Sequence, residues 1–233
     1  MTAGRSSIRS MVRLRPLLAL AVVLFSLVAC TRDKNEDTAT LPNGATLVQE
    51  CATAMREVKT TRFLIVADGE IAGLRLRRAE GTLTREGNAK GTAQIDESGS
   101  TVELEFVIVG DKLYLKGPTG GYQTLPLTLA ATVYDPSAIL DPERGVVTML
   151  ESVTSPETEA AEAVDGRDAW RVAANTTGTG LAGLIPGLTG TIPTKLWIAA
   201  DDKRLLKASF TLPGGSVTVT FEEYDVPAVI SAP

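Results

Sequence analysis

From Thr61 onward the apolar residues fall at every second position in one segment after another, a pattern that a strand buries on one face and a helix does not. It is clearest at 101–109, where Val102, Leu104, Phe106 and Ile108 share one side and Glu103 and Glu105 take the other. Gly110-Asp111 then makes a two-residue hairpin turn with glycine first, and 112–116 return as the partner strand. Alternation is weak at 62–68, stronger at 74–84 and 91–95, and resumes at 158–164, 169–174, 191–199, 205–212 and 216–224. Turns at Asp165-Gly166, Asp201-Asp202 and Pro213-Gly214-Gly215 separate the later segments. Nine or ten strands are predicted, and because they meet their neighbours in sequence the sheet is largely antiparallel.

Helices are few. Leu47, Val48, Cys51, Met55 and Val58 are spaced by three and four, which predicts an amphipathic helix over 44–58. Residues 125–133 are apolar and small without clean alternation, and Asp135-Pro136 and Asp141-Pro142 are start signals for short helices at 137–140 and 143–153. The apolar stretch 181–188 fits another. The fold class is α+β, a single domain with a large curved antiparallel sheet and helices on one side. A sheet of this width must curl, and something must fill its concave face. Aromatic residues are only 5% of the chain, so the filling is aliphatic; a close-packed core and an apolar cavity both satisfy the pattern.

The N-terminus carries a different signal. Arg5, Arg9, Arg13 and Arg15 precede an apolar run from Leu17 to Val28 that only Ser26 interrupts, and Leu27-Val28-Ala29-Cys30 closes it. This is a charged region, a hydrophobic region too short for a comfortable span, and a lipobox. Residues 1–29 are read as a lipoprotein signal peptide, Cys30 as the lipid anchor, and the polar stretch 30–43 as a flexible tether. One acyl chain holds a protein reversibly, at about 0.8 kcal/mol per buried methylene, whereas two or three hold it almost permanently. The expected location is the extracytoplasmic face of the cell membrane. Losing four arginines with the signal takes the net charge from −5 to −9, which argues against nucleic acid as a partner.

The chain has no histidine, which removes the commonest general base, the commonest zinc ligand and the Ser-His-Asp triad together. With Cys30 acylated, Cys51 is the only thiol left; it has no disulfide partner and sits at an apolar helix position, so it reads as buried and inert. Gly178-Thr179-Gly180 lacks the lysine and strand–helix context of a phosphate loop. The acidic pairs Glu103/Glu105 and Glu222/Glu223 are the remaining catalytic candidates, and strand alternation puts them at or near a solvated face. Arg75, Arg77 and Arg78 read as a solvated face before they read as a headgroup site. No enzyme and no cofactor are expected.

Four stretches together resemble a known family: the lipobox; Gly69-Glu70-Ile71-Ala72-Gly73-Leu74; the hairpin from Phe106 through Gly110-Asp111 to Tyr114; and Tyr134-Asp135-Pro136-Ser137-Ala138-Ile139-Leu140-Asp141-Pro142-Glu143-Arg144-Gly145. With Ile192-Pro193-Thr194-Lys195-Leu196-Trp197-Ile198, they are similar to the LppX/LprA/LprF/LprG lipoproteins of mycobacteria and related actinobacteria, most of all to LprG-type members. The resemblance implies a half-barrel sheet with helices over its concave side, like the Lol carriers, enclosing a hydrophobic pocket in a domain at 44–226 with a tail at 227–233. It implies a multi-acylated cargo such as a triacylated glycolipid, a lipoglycan or triacylglycerol, and a major facilitator exporter as partner. Carried onto this chain, the sheet side of the pocket is Ala93, Ile95, Val102, Leu104, Phe106 and Ile108. The lid side is Leu125, Leu127 and Leu129, with Val146, Met149 and Leu150 and with Leu184, Ile185 and Leu188. The rival expectation is an adaptor lipoprotein with a filled core, which a cavity below about 300 Å³ would favour.

Overall fold

The computed structural model describes residues 41–130, 138–185 and 188–233. The signal segment, Cys30 and most of the tether lie outside them, and so does the side chain of Leu129. Residues Thr40–Pro233 form one unit. Its first element is α1 (Gly44–Glu57), started by Asn43, whose side chain accepts from the Thr46 backbone N–H at 3.0 Å. That cap satisfies one of the donors a helix start leaves open. The helix buries Leu47, Val48, Cys51 and Met55, as its spacing predicts, together with Ala52, and the predicted Val58 is buried just past its end as the C-cap residue.

Among the described residues eleven strands follow: β1 (Thr60–Gly69), β2 (Leu76–Thr84), β3 (Ala89–Glu97), β4 (Ser100–Val109), β5 (Lys112–Lys116), β6 (Gln123–Pro126), β7 (Thr154–Val164), β8 (Arg167–Thr177), β9 (Thr191–Ala199), β10 (Leu205–Leu212) and β11 (Gly215–Glu222). Ten are the predicted ones. The extra strand, β6, opens the apolar stretch whose lack of alternation hides it; it is only four residues long, ends at Pro126, and lies at the sheet edge, where a proline costs no ladder hydrogen bond. Between β6 and β7 come α2 (Leu127–Ala130) and α3 (Val146–Glu151), and between β8 and β9 a single turn, α4 (Gly178–Leu181). The predicted helix at 181–188 therefore begins earlier and is shorter, because the Thr177 side chain caps the Gly180 N–H at 3.1 Å.

The strands make one antiparallel sheet in the order β6-β5-β4-β3-β2-β1-β11-β10-β9-β8-β7. Two runs of hairpins, β1 to β6 and β7 to β11, are thus joined at a seam where the first strand pairs with the last. One row of side chains crosses eight strands in register: Val172, Leu196, Ala208, Val219, Ile65, Ala79, Ala93 and Leu104. The buried residues of α1 and α3 join the strand residues of this face in one core, so the helices cover the concave side. Gly81 and Gly91 face each other across β2 and β3. A Cβ on either would lie 2.2 or 2.0 Å from a carbonyl of the opposite strand, so only glycine permits this approach. Their neighbours in register are Phe63 and Phe106, both buried, which supply the apolar bulk that the glycines lack.

Candidate functional site

At the seam the sheet and its cover do not close completely. The gap lies over Ile65 and Ala67 of β1, Leu76 of β2, and Ala208 and Phe210 of β10. Val217, Val219 and Phe221 of β11 continue its floor, with Leu205 at one side and Leu74 from the turn before β2 at the other. The cover is Ile139, Val146 and Met149 together with Leu184 and Ile185. Every lining side chain is apolar. Two alanines facing the cover, Ala67 and Ala208, leave volume that larger residues would occupy. The cavity amounts to about 20 Å³, room for one water-sized body and far below the 300 Å³ or so of a ligand-filled pocket.

The residues named from sequence divide into three groups. Val146, Met149, Leu184 and Ile185 line this cavity. Phe106, Ile108 and Leu150 are buried in the same core without reaching it, and Ala93, Ile95, Leu127 and Leu188 pack against that core half-buried. Val102, Leu104 and Leu125 are half-buried near the free β6 edge. The floor at β1, β10 and β11 lies outside the residues named from sequence, because nothing local in a sequence says that the first strand will pair with the last. Its one signal is the alternation of Phe63, Ile65 and Ala67, matched by that of Val217, Val219 and Phe221.

The charged candidates are accounted for on the surface. Glu105 accepts from Lys116 Nζ at 2.8 Å and from the Tyr122 hydroxyl at 3.0 Å, and these hydrogen bonds hold its carboxyl below the usual range. Glu103 accepts from Gln94, and Glu223 pairs with Arg62 at 3.6 Å. Arg75, Arg77 and Arg78 pair with Glu97, Asp96 and Glu80 in turn. Burial pushes the Cys51 thiol up, which keeps it from reacting as a thiolate. Among the described residues no cluster of three acidic, histidine or cysteine side chains could hold a metal ion. What the arrangement provides is a wholly apolar space that, as it stands, is too small for a hydrocarbon chain.

Residues 43–230 match the LppX_LprAFG lipoprotein family. The protein named lipoarabinomannan carrier protein LprG in Mycolicibacterium smegmatis is 31% identical over 224 residues, covering 93% of this chain and 94% of that protein. Its namesake in Mycobacteroides abscessus is 30% identical, covering 97% and 99%. Two crystal structures share the fold: LprF from Mycobacterium bovis, with a TM-score of 0.73 at 22% identity over 82% of this chain and 96% of that one, and LppX from Mycobacterium tuberculosis, with 0.63 at 21% over 80% and 97%. By the extent of the family match and by its curated relatives, the chain belongs to the LppX_LprAFG lipoprotein family.

Proposed function

We propose that this chain is a membrane-tethered lipid carrier that shields acyl chains between the β1/β11 seam and the cover formed by α3 and Leu184-Ile185. The observation that carries the reading is a wholly apolar cavity under a cover of α3 and the turns at Ile139 and Leu184-Ile185, in a chain whose curated relatives are named as carriers of a lipoglycan. Burying a sixteen-carbon chain contributes on the order of 13 kcal/mol at about 0.8 kcal/mol per methylene, before the costs of association. Capture therefore needs no catalytic constellation, and the chain works without one. At about 20 Å³ the cavity has no room for a hydrocarbon chain, so loading requires the cover and the sheet to part. The open, half-buried face of β3 to β6, with Ala93, Ile95, Val102 and Leu104, offers the apolar surface along which a longer or further chain can lie.

The cargo class is a multi-acylated glycolipid or lipoglycan, with triacylglycerol as the variant that lacks a headgroup. The anchor is Cys30, which holds the domain at the outer face of the plasma membrane; no described helix is long and apolar enough to cross a membrane. A major facilitator exporter is the partner that would supply or receive cargo. Native mass spectrometry of the chain without its anchor, purified from an actinobacterial host before and after organic extraction, tests the reading. A multi-acyl mass that extraction removes is the expected result. The small cavity also favours a second reading, an adaptor that docks a transporter and carries nothing. A bare protein mass with no uptake of added glycolipid would establish that one instead.

A further inference from the structure

The cavity walls differ in how easily they can move. On the sheet side, nine of the lining residues named above belong to β1, β2, β10 and β11, each hydrogen-bonded on both flanks, so none moves without breaking a ladder. The cover is knitted to itself: Val146 N–H donates to Ile139 O at 2.9 Å and Gly145 N–H to Asp141 O at 2.8 Å. Gly183 lies so close to Arg144 that a Cβ would be 2.1 Å from its carbonyl oxygen. Leu74 differs from both: the cover can part from the sheet only as one body, whereas Leu74 comes from the turn between β1 and β2 and can swing aside by itself.

That turn is pinned at both ends and nearly unsupported between them. At one end Glu70 N–H donates to Gly214 O at 2.8 Å. At the other, Asp96 N–H donates to Arg75 O at 2.8 Å and Arg75 Nε to Asp96 O at 2.9 Å. Between the pins, the described backbone hydrogen bond is Leu74 N–H to Ile71 O at 3.1 Å. Ile71 and Leu74 turn inward onto the core, while Ala72 and Gly73 are exposed. Gly73 has φ of 80° and nothing within 4 Å of where a Cβ would sit, so its conformation is set by the backbone alone.

The geometry points to the strap Ile71–Leu74 as the gate of the cavity, with Leu74 as its plug and Gly73 as the joint that permits the closed form. This rests on the carrier reading above and adds the route by which an acyl chain enters and leaves. A gate lowers the barrier in both directions when it is loosened, whereas a wall residue alters how tightly cargo is held. The two are separable by kinetics.

The test uses the full chain and a diacylglycerol with one pyrene-labelled acyl chain, delivered from phosphatidylcholine vesicles, with loading and release rates read by fluorescence. Gly73→Ala adds a methyl that touches nothing, but an L-residue disfavours the left-handed conformation, so the closed strap is destabilised by about tenfold. Both rates are expected to rise by about tenfold with the dissociation constant unchanged within about twofold, and Leu74→Ala should also raise both. Val219→Ala, in the ladder, should speed release alone. If wild type loads and Gly73→Ala leaves both rates where they were, or if Leu74→Ala behaves like Val219→Ala, the gate is overturned and the carrier reading stands. If wild type takes up no probe, the carrier reading falls and the gate with it.

Discussion

Leu196 and Leu104 lie in the same row of the same sheet and meet opposite fates. Leu196 is fully buried, in a run where Val172, Ile198 and Leu205 are also at 0% exposure, because α1 and α3 roof that side. Leu104 is half-buried with only β5 and the short β6 beyond β4, and Val102, Leu115 and Leu125 around it are half-buried too. The alternation that makes a strand is identical in the two halves; what differs, among the described residues, is whether α1 and α3 are laid over it. The core runs into both halves, since Leu83, Phe106, Ile108 and Leu113 are buried in it, but only the half that holds Leu104 leaves residues of the row half-buried at its outer end.

The widest gap between the halves should appear in unfolding. Leu196→Ala is expected to cost about 3 kcal/mol, as a truncation in a close-packed site, whereas Leu104→Ala costs under about 1 kcal/mol because the site is already part-hydrated. Urea unfolding of both variants measures this directly. Equal losses would mean that the open half is packed as tightly as the roofed one. Next in size is Gly91→Ala, which puts a Cβ 2.0 Å from the Glu80 carbonyl oxygen and must push β2 from β3. We expect about 2 kcal/mol of destabilisation. No loss would show that the Gly81/Gly91 approach does not shape the sheet.

How much of this was readable in advance depends on whether the signal was local. The alternation of Val102, Leu104, Phe106 and Ile108 shows β4 directly, whereas the roof residues Val146, Met149, Leu184 and Ile185 are reached only through the family resemblance carried onto two apolar segments. β6 was hidden because four residues ending in a proline are too few for a period to show. The seam was hidden for a different reason: β1 and β11 are separated by nearly the whole domain, and strand pairing at that distance leaves no mark on either segment alone. Since the cavity floor is built at the seam, Phe210, Val217 and Phe221 were invisible as site residues even though each strand was legible.

The third contrast concerns the cavity itself. Ala208 lies on its floor and Ala93 three strands beyond the seam in the same row. Ala208→Phe fills the gap and is expected to lower loading of a labelled diacylglycerol about tenfold, equivalent to about 1.4 kcal/mol. Ala93→Trp should lower it less unless the second chain lies along β3. A larger loss at Ala93 than at Ala208 would move the binding surface to the open half.

The smallest effect separates the halves by charge. Asp225 follows β11, and although burial pushes its carboxyl up, the Lys59 backbone N–H at 2.8 Å and the Arg204 guanidinium outweigh this and hold it below the usual range. A carboxylate with a depressed folded pKa contributes stability that is present above the unfolded value of about 4 and is lost as pH falls through the folded value. Glu105 is also depressed, by Lys116 first, yet lies on the solvent-exposed surface of the open half, where solvent screens the pair. Lowering the pH from 7 to 3 should therefore remove stability that Asp225→Asn has already lost, under about 1 kcal/mol, while Glu105→Gln titrates like wild type. Urea midpoints at the two pH values decide it. If Glu105→Gln flattened the acid dependence and Asp225→Asn did not, the charged contacts that matter to folding would lie in the open half, and the division drawn from burial would not extend to electrostatics.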